Sequence, residues 1–335
     1  MAAVSLSLDM QYLQPDLAGG RLLGAVRYGH AEPLEISTGL AVPLRCLEGA
    51  PVCWTSWLGQ APIAQGRLGQ LQYRHNQDLL FGHIQLREAD FAGQTDASTL
   101  QAASHAGYKA IFDALHATGF THLVRCWNYL PDINADGGGL ERYRQFNIGR
   151  QDAFATSPHA SLEAAPAASA LGTPSGDLSI YFLASHTPAV ALENPRQVPA
   201  YRYPSQYGPR TPIFSRGGLL SLAHSETLFI SGTASILGHE SVHPGKLAEQ
   251  TEETLRNIAA VVAAANARMI SQPFTCEELT LKVFVRHAVD LPQIRQIIDR
   301  QWGSAGKALF LQADVCRAEL LVEIEAFCSH RRETS

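Results

Sequence analysis

The chain opens with short apolar runs and then changes to a helical pattern. In the first hundred residues these runs are broken by Gly and Pro, which is typical of β-strands. They include LLGAVRYG at 22–29, LEIST at 34–38 and LLFGHIQL at 79–86. From Ser98 to Ala117 the apolar residues recur at helical spacing, although Gly107 interrupts the run.

Strand and helix patterns alternate along the rest of the chain. The N-terminal half continues with a strand at 121–131, a helix at 140–154, a small, polar, Pro-rich loop or linker at 155–177, and a strand at 178–185. The C-terminal half repeats the alternation, with strands at 228–235, 279–287 and 308–328 and helices at 247–267 and 291–302. We therefore predict an α/β (α+β) fold of two similar lobes, residues 1–177 and 178–335, each a mixed β-sheet packed with helices.

Composition narrows the class of protein. The 335 residues are 46% hydrophobic and 17% charged, as in an ordinary globular protein. A net charge of -5 gives no basic footprint for nucleic acid, and no apolar run approaches the roughly 20 residues that span a bilayer. The first residues do not form a signal peptide, and the scattered cysteines suggest reduced thiols, so we expect a cytoplasmic protein. The cysteines are Cys46, Cys53, Cys126, Cys276, Cys316 and Cys328.

Four segments stand out in the C-terminal half: SGTAS at 231–235, QTEETLRNI at 250–258, KVFV at 282–285 and LLVEIEA at 320–326. They resemble the Rid/YjgF family. Their order and spacing match that family. The resemblance implies a homotrimer with ligand pockets between subunits.

Three further segments lie nearer the middle of the chain: RCWNYLPDIN at 125–134, GLERYRQFNIGRQDAF at 139–154 and ENPRQVPAYRYPSQYGPRTPIFSRG at 193–217. They resemble the chorismatase family, whose members join a Rid-like C-terminal lobe to a related N-terminal lobe. This resemblance implies that the substrate is chorismate, that the products are pyruvate and a hydroxylated ring acid, and that no cofactor or metal is needed. Residues 1–90 add little to it.

Chorismate carries an enol ether, and cleavage can begin when an acid protonates the terminal methylene carbon. Glu323 and Glu325 lie at i and i+2 on a predicted strand, so both side chains point to one face. Burial and a like-charged neighbour both raise a carboxyl pKa, as a general acid requires. From spacing alone, another interpretation fits equally well, in which one glutamate forms a structural ion pair and the other faces solvent. The resemblance favours Glu323 as the acid, with Glu325 tuning it or holding the pocket.

The two carboxylates of chorismate require cationic partners, and eight arginines but no lysine lie between residues 125 and 216. Arginine binds carboxylates in a planar, bidentate manner. Arg210 and Arg216 flank a turn just before the Rid-like lobe, and we expect both to bind carboxylates. Arg142 is a further candidate, and Tyr201 could hydrogen-bond a carboxylate or lie against the ring. For any single arginine, a structural ion pair is the competing interpretation.

Two residues bear on the ring product. Gly232, in SGTAS, would leave room for a ring, and Cys316 lies seven residues before Glu323. Together they resemble the chorismatases that form 3-hydroxybenzoate, in which the ring hydroxyl and not water relieves the oxocarbenium ion. A strand bulge and a buried structural thiol are the competing interpretations. We therefore favour 3-hydroxybenzoate, with 4-hydroxybenzoate or a dihydroxylated cyclohexadiene acid as alternatives.

Other functional classes also have sequence support. Residues 239–243 match HExxH, but the flanking Gly238, Pro244 and Gly245 do not suit the helix that this zinc motif requires. A Rid-type imine or enamine deaminase is an alternative, although its PxRxxV segment is missing before the closing strand. A non-catalytic trimer that binds an aromatic metabolite is another alternative.

Overall fold

The computed structural model describes residues 8–12, 14–16, 20–29, 39–94, 96–157, 165–303 and 305–332, and the LEIST run at 34–38 lies outside them. The helices are α1 (Thr99–Thr118), α2 (Arg142–Thr156), α3 (Leu247–Asn266) and α4 (Leu291–Trp302). The strands are β1 (Leu8–Gln11), β2 (Leu22–Tyr28), β3 (Gly39–Val42), β4 (Arg45–Cys46), β5 (Cys53–Gly59), β6 (Ala64–Leu68), β7 (Leu71–His75), β8 (Leu79–Leu86), β9 (His122–Pro131), β10 (Ala167–Thr173), β11 (Leu178–Ser185), β12 (Val190–Leu192), β13 (Gly217–Ser221), β14 (Ser225–Thr233), β15 (Ile236–Leu237), β16 (Glu240–Ser241), β17 (Thr280–Val285), β18 (Ala308–Gln312), β19 (Asp314–Val315) and β20 (Val322–Arg331).

Two seven-stranded sheets repeat one topology. Their strand orders are β6-β7-β8-β11-β9-β10-β19 and β12-β13-β14-β20-β17-β18-β4. In each sheet the fifth and sixth strands are parallel, β9 with β10 and β17 with β18. The other neighbouring strands are antiparallel. The predicted mixed α/β fold with two similar lobes is therefore confirmed.

Each lobe supplies the last strand of the other lobe's sheet. The two-residue β19 comes from the C-terminal lobe and pairs with β10, whereas β4 comes from the N-terminal region and pairs with β18. The central strand β11 pairs with β8 and β9 in the first sheet. The change from the first sheet to the second thus falls between Ser185 and Val190, and the division of the chain at 177/178 stays a prediction.

Strand β10 lies inside the stretch 155–177, which the sequence predicted to be a loop or linker. Its sequence, AASALGT, has low β-propensity, and this explains the wrong prediction. The small side chains allow close approach to β14 of the other lobe. The Ser231 hydroxyl accepts a hydrogen bond from the Ala168 amide at 2.9 Å, and the Gly232 amide donates to the Ser169 hydroxyl at 3.0 Å.

Helix α1 matches its predicted position because both ends carry capping residues. The Ser98 side chain accepts a hydrogen bond from the Gln101 amide, and Gly119 ends the helix with a φ of 78°. Gly107 lies where the helix packs on the first sheet. A Cβ at this position would come within 3.0 Å of a Leu86 methyl and 3.1 Å of an Ile180 methyl, so close packing explains this glycine.

A shared apolar core lies between the three larger sheets. The four-stranded sheet β1-β5-β2-β3 contributes Trp57, which packs on Trp127 of the first lobe and on Phe229 and Phe327 of the second, with ring centroids 5.2, 6.3 and 5.5 Å away. The helices cover the opposite faces, α1 and α2 on the first lobe and α3 and α4 on the second. The inner faces of both lobes are therefore buried within one chain.

Two of the cysteines differ from the sequence expectation. Cys46 and Cys53 form a disulfide with an S–S distance of 2.14 Å, because the short connection between β4 and β5 brings their Cα atoms within 6.4 Å. The expectation that all six thiols are reduced is wrong for this pair, while Cys126, Cys276, Cys316 and Cys328 are free. Among the described residues, no helix has the length and apolar character needed to cross a membrane.

We expect Trp57→Ala to reduce the free energy of unfolding by about 3–5 kcal/mol, because it opens a cavity where the three sheets meet. Denaturant unfolding measures the change. The control Val289→Ala alters a side chain that is 84% exposed and should change stability by less than about 0.5 kcal/mol. A loss below about 1 kcal/mol for Trp57→Ala would contradict the shared core.

Candidate active site

The two glutamates of the closing strand lie on the inner face of the C-terminal sheet. In β20, Glu323 is opposite Phe284 and Glu325 is opposite Lys282 of the neighbouring β17. The alternation of side chains along a strand places both carboxyls on one face. They are 3% and 5% exposed, so neither lies in bulk water. Their immediate partners differ completely, and so does their ionisation.

Glu325 forms a paired, ionised cluster. Its carboxylate accepts hydrogen bonds from the Arg125 guanidinium at 2.9 Å, the Trp127 indole N–H at 2.8 Å and the Ser169 hydroxyl at 2.7 Å, and its distance to the Lys282 ammonium is 2.8 Å. Burial alone would raise its pKa. The charges of Lys282 and Arg125 and these hydrogen bonds outweigh burial and lower the pKa of Glu325.

Glu323 is the neutral carboxyl of the pair. Among the described residues, it makes none of the ion pairs that Glu325 makes. Burial, followed by the negative charge of Glu325, raises its pKa to about 8, although Arg125 and Arg286 act in the opposite direction. At neutral pH Glu323 therefore carries a proton that it can donate.

Gly232 makes space for this carboxyl. It lies in β14 where the pairing with β20 slips between Ile230 and Thr233, at a β-bulge. A Cβ on Gly232 would lie 1.9 Å from Oε1 of Glu323. Any larger residue would therefore displace the Glu323 carboxyl from its position.

A cavity of about 240 Å³ between the two lobes opens onto Glu323. Water occupies roughly 30 Å³ per molecule, so this space suits a compact small molecule. Four segments form the walls: the start of α2, the connection before β13, the end of β14 and the loop before β20. The lining residues are Glu141, Tyr143, Arg144, Tyr203, Tyr207, Pro212, Phe214, Arg216, Gly232, Ala234, Ile236, Cys316, Arg317, Ala318, Glu319 and Glu323.

Three guanidinium groups line this cavity. Arg216 is 4% exposed and donates to the Tyr203 hydroxyl at 2.7 Å, while its buried Nε has no hydrogen-bond partner among the described residues. Arg317 lies 4.3 Å from the centre of the Tyr207 ring and donates to the Ser241 hydroxyl at 3.1 Å. Arg144 is the third, and its Nε lies 3.2 Å from a carboxylate oxygen of Glu141. Positive charge beside an uncharged acid suits an anionic ligand.

The structure brings four of the residues chosen from the sequence to the cavity wall: Glu323, Gly232, Cys316 and Arg216. The Cys316 thiol is neutral, since burial and then the proximity of Glu323 raise its pKa to about 12. Glu325 does not line the cavity and lies in its own cluster beside Arg125 and Lys282. Its contacts suit a residue that holds the pocket from behind, and its negative charge also raises the pKa of Glu323.

Three other chosen residues lie outside the lining of this cavity, and their expected roles in substrate binding stay predictions. Arg142 is ion-paired with Glu88 and donates to the Pro131 carbonyl, so it ties α2 to the sheet. Arg210 is largely exposed and lies 3.5 Å from a carboxylate oxygen of Asp152.

The third is Tyr201. Its carbonyl accepts a 3.4 Å hydrogen bond from Thr211, and the Arg202 guanidinium lies 5.7 Å from its ring centre. Structural contacts thus account for all three residues.

Sequence reasoning did not select Arg317, Arg144, Tyr203 or Tyr207. Arg317 lies outside the arginine-rich stretch, but its position next to Cys316 was an available signal. The two tyrosines belong to the same segment as Tyr201, and only the turns at 200–207 decide which of them face the cavity.

The HExxH match lies in the short hairpin β15–β16 and the turn after it. As the sequence predicted, the match does not lie in a helix. His239 instead makes a 3.1 Å hydrogen bond with the Tyr207 hydroxyl.

Comparison with known proteins identifies the family. Residues 55–184 match a family model described as chorismatase FkbO/Hyg5-like, N-terminal. A 3-hydroxybenzoate synthase from Streptomyces hygroscopicus is 36% identical over 279 residues, which cover 80% of this chain and 79% of that protein. The chain belongs to the chorismatase family.

Two further similarities cover almost the whole chain. A chorismatase from Streptomyces hygroscopicus is 31% identical over 340 residues, 96% of each chain. A crystal structure of a chorismatase matches with a TM-score of 0.86 at 29% identity, and the match covers 97% of this chain and 99% of that one. The chorismatase fold thus extends over both lobes and the four-stranded sheet.

The raised pKa of Glu323 predicts how stability depends on pH. Between the unfolded value of 4.5 and about 8, the folded state holds a proton that the unfolded state has lost, so stability falls as pH rises. Glu323→Gln removes this effect. Relative to the wild type, we expect this variant to gain roughly 1.4 kcal/mol of unfolding free energy per pH unit within that window.

Denaturant unfolding at several pH values from about 5 to 8 measures this difference. The matched control is Glu319→Gln, since Glu319 lines the same cavity but is exposed. An equal pH dependence for Glu323→Gln and the wild type would show that Glu323 ionises normally.

Proposed function

We propose that the protein cleaves the enolpyruvyl ether of chorismate to give pyruvate and a hydroxybenzoate, with 3-hydroxybenzoate as the favoured product. The observation that carries this proposal is the protonated, buried Glu323 at the wall of a cavity that also holds three guanidinium groups. Membership of the chorismatase family and the 36% identity to a 3-hydroxybenzoate synthase support it.

The reaction begins with proton transfer from Glu323 to the terminal methylene carbon of the enol ether. That carbon becomes the methyl group of pyruvate, and the ether carbon becomes an oxocarbenium ion. The resulting Glu323 carboxylate stabilises this cation. The ring hydroxyl oxygen adds to this ether carbon, its bond to the ring breaks, and the ring loses one proton to the Glu323 carboxylate as it aromatises. The hemiketal left on the other ring oxygen then passes its hydroxyl proton to that oxygen and separates into pyruvate and the hydroxybenzoate. No water is consumed overall, whereas formation of a dihydroxylated cyclohexadiene acid consumes one.

The cavity arginines hold the two substrate carboxylates. Arg216 is fixed by Tyr203 and by the Val198 carbonyl, and its Nε, which has no partner in the described part of the chain, can donate to a carboxylate. Arg317 rests on the Tyr207 ring, where its planar group can bind a second carboxylate side-on. Fixing both ends of the substrate places the methylene carbon against Glu323 and lowers the entropic part of the barrier.

The choice of ring product depends on the wall beside Glu323. Gly232 and Cys316 are both small, and the Cys316 thiol is neutral, so neither offers a charged group that would activate water. The ring hydroxyl then relieves the oxocarbenium ion from within the substrate. This supports 3-hydroxybenzoate over the diol.

The cytoplasmic location, the absence of a cofactor and the homotrimer stay predictions. The four free thiols support a reducing compartment, whereas the Cys46–Cys53 disulfide opposes it. The sheets' inner faces are covered within one chain, so a trimer would have to form through other surfaces.

Chorismate turnover tests the function directly. In metal-free buffer with EDTA, we expect the protein to release pyruvate together with 3-hydroxybenzoate, measured by a pyruvate assay and by chromatography. Glu323→Gln should lower kcat by at least about 10²–10⁴-fold while chorismate still binds, because only the transferable proton is lost. Glu319→Gln, which alters another carboxyl of the same cavity, should retain most activity.

Other outcomes would exclude parts of the proposal. If the products were pyruvate and a non-aromatic diol, the proposed cleavage would stand, but the roles assigned to Gly232 and Cys316 would be wrong. Chorismate binding without pyruvate in the wild type would indicate a metabolite-binding protein. Turnover of an imine or enamine in place of chorismate would indicate a Rid-type deaminase.

The ionisation of Glu323 should also set the pH dependence of the rate. Since the acid form is active and its pKa is about 8, we expect kcat/KM to be constant below that pH and to fall about tenfold per unit above it. Glu325→Gln removes the negative neighbour and should move the midpoint to lower pH, provided that circular dichroism shows a native fold. An unchanged midpoint in this variant would assign the alkaline limb to another group.

A further inference from the structure

Three potential metal ligands converge on the outer face of the C-terminal sheet. Cys328 and His330 lie in β20, and their side chains point away from the face that holds Glu323. Glu278 approaches them from the short 3₁₀ turn before β17. One ligand atom from each of the three residues lies within 4.8 Å of the others. The proposed function uses none of these residues.

The distances fit a tetrahedral zinc ion. The Sγ of Cys328 lies 3.5 Å from Nε2 of His330, which in turn lies 3.5 Å from a carboxylate oxygen of Glu278. Zinc bonds of about 2.3 Å to sulfur and 2.0–2.1 Å to nitrogen and oxygen place neighbouring ligand atoms about 3.4–3.6 Å apart. The Glu278 side chain is 44% exposed, and its Oε2 also accepts hydrogen bonds from the Thr275 amide and hydroxyl at 3.1 Å. Its other carboxylate oxygen has no partner among the described residues and can turn towards the metal position without breaking them.

The surroundings of His330 orient it as a ligand. Its Nδ1 lies 3.2 Å from the Gln272 carbonyl, to which a protonated Nδ1 donates. That hydrogen bond leaves the Nε2 lone pair directed at Cys328 and Glu278, which is the usual arrangement around a metal-bound histidine. Phe274 stacks on the imidazole with ring centroids 4.4 Å apart and fixes the plane of the ring.

We propose that Glu278, Cys328 and His330 bind one Zn²⁺ ion, with a fourth position open to solvent on the Glu278 side. The thiolate and the carboxylate balance the charge of the ion, and mixed sulfur and nitrogen ligands favour zinc over magnesium or calcium. The thiol of Cys328 releases its proton to water when the metal binds. This site could not be predicted from the sequence, because Glu278 is 50 or more positions away from Cys328 and His330.

The ion would join the turn at 276–278 to the end of β20 and stabilise the edge of the lobe. It is separate from the proposed catalysis. Cys328 lies five residues from Glu323 along the strand, about 17 Å, and on the opposite face of the sheet. Chorismate turnover should therefore be unaffected when the metal is removed.

Cobalt(II), whose thiolate complexes absorb in the near ultraviolet, is the probe that tests this site. We expect the full-length, metal-free protein to bind one equivalent with a thiolate-to-cobalt absorption band, and Zn²⁺ to displace it and raise Tm. Cys328→Ser should abolish the band. The matched control Cys276→Ser, which alters a free cysteine two residues from Glu278, should keep it.

Glu278→Gln provides a second variant, because a glutamine keeps an oxygen that can accept the hydrogen bonds of Thr275 while it removes the charge that binds the metal. We expect it to weaken Zn²⁺ binding at least about tenfold, measured by competition with a chelating dye. Absence of the band in the wild type, or a band that persists in Cys328→Ser, would overturn the proposal. So would equal Zn²⁺ affinity in Glu278→Gln and the wild type.

Discussion

The buried ion pairs of Glu325 hold the two lobes in register. Its carboxylate belongs to the C-terminal lobe, as does Lys282, whereas Arg125, Trp127 and Ser169 belong to the N-terminal lobe. Two cations and one anion in a dry interface tolerate little displacement, because a buried charge without its partner costs about 3–5 kcal/mol. This constraint determines the shape of the cavity between the lobes.

The same cluster explains how two glutamates only two residues apart differ in protonation. Glu325 takes the available cations and hydrogen-bond donors, and its negative charge then disfavours ionisation of Glu323. Gly232 provides the space in which the neutral carboxyl sits. The raised pKa that makes Glu323 an acid at neutral pH is thus caused by its neighbours.

The features that could be predicted from the sequence are local ones. Helices α1 and α3 and strand β9 follow from the periodicity of their apolar residues, and the closing motif pointed to Glu323. Strand β10 could not be recognised, since its Ala and Gly residues are selected by contact with the other lobe and not by strand propensity. It was harder still to predict which arginines line the cavity, because ion pairs with distant partners such as Glu88 decide which of them are available for a ligand. Arg317 reaches the cavity through tertiary packing on Tyr207, which no sequence spacing encodes.

The exchange of edge strands also bears on how the chain is made. During synthesis from the N-terminus, the outer edge of β10 has no partner until Asp314 and Val315 emerge, and β4 has none until β18 has been made. Neither lobe can complete its sheet on the ribosome before nearly all of the chain is available. The final step of folding is therefore expected to be concerted, and separately expressed halves would each expose an unpaired strand edge.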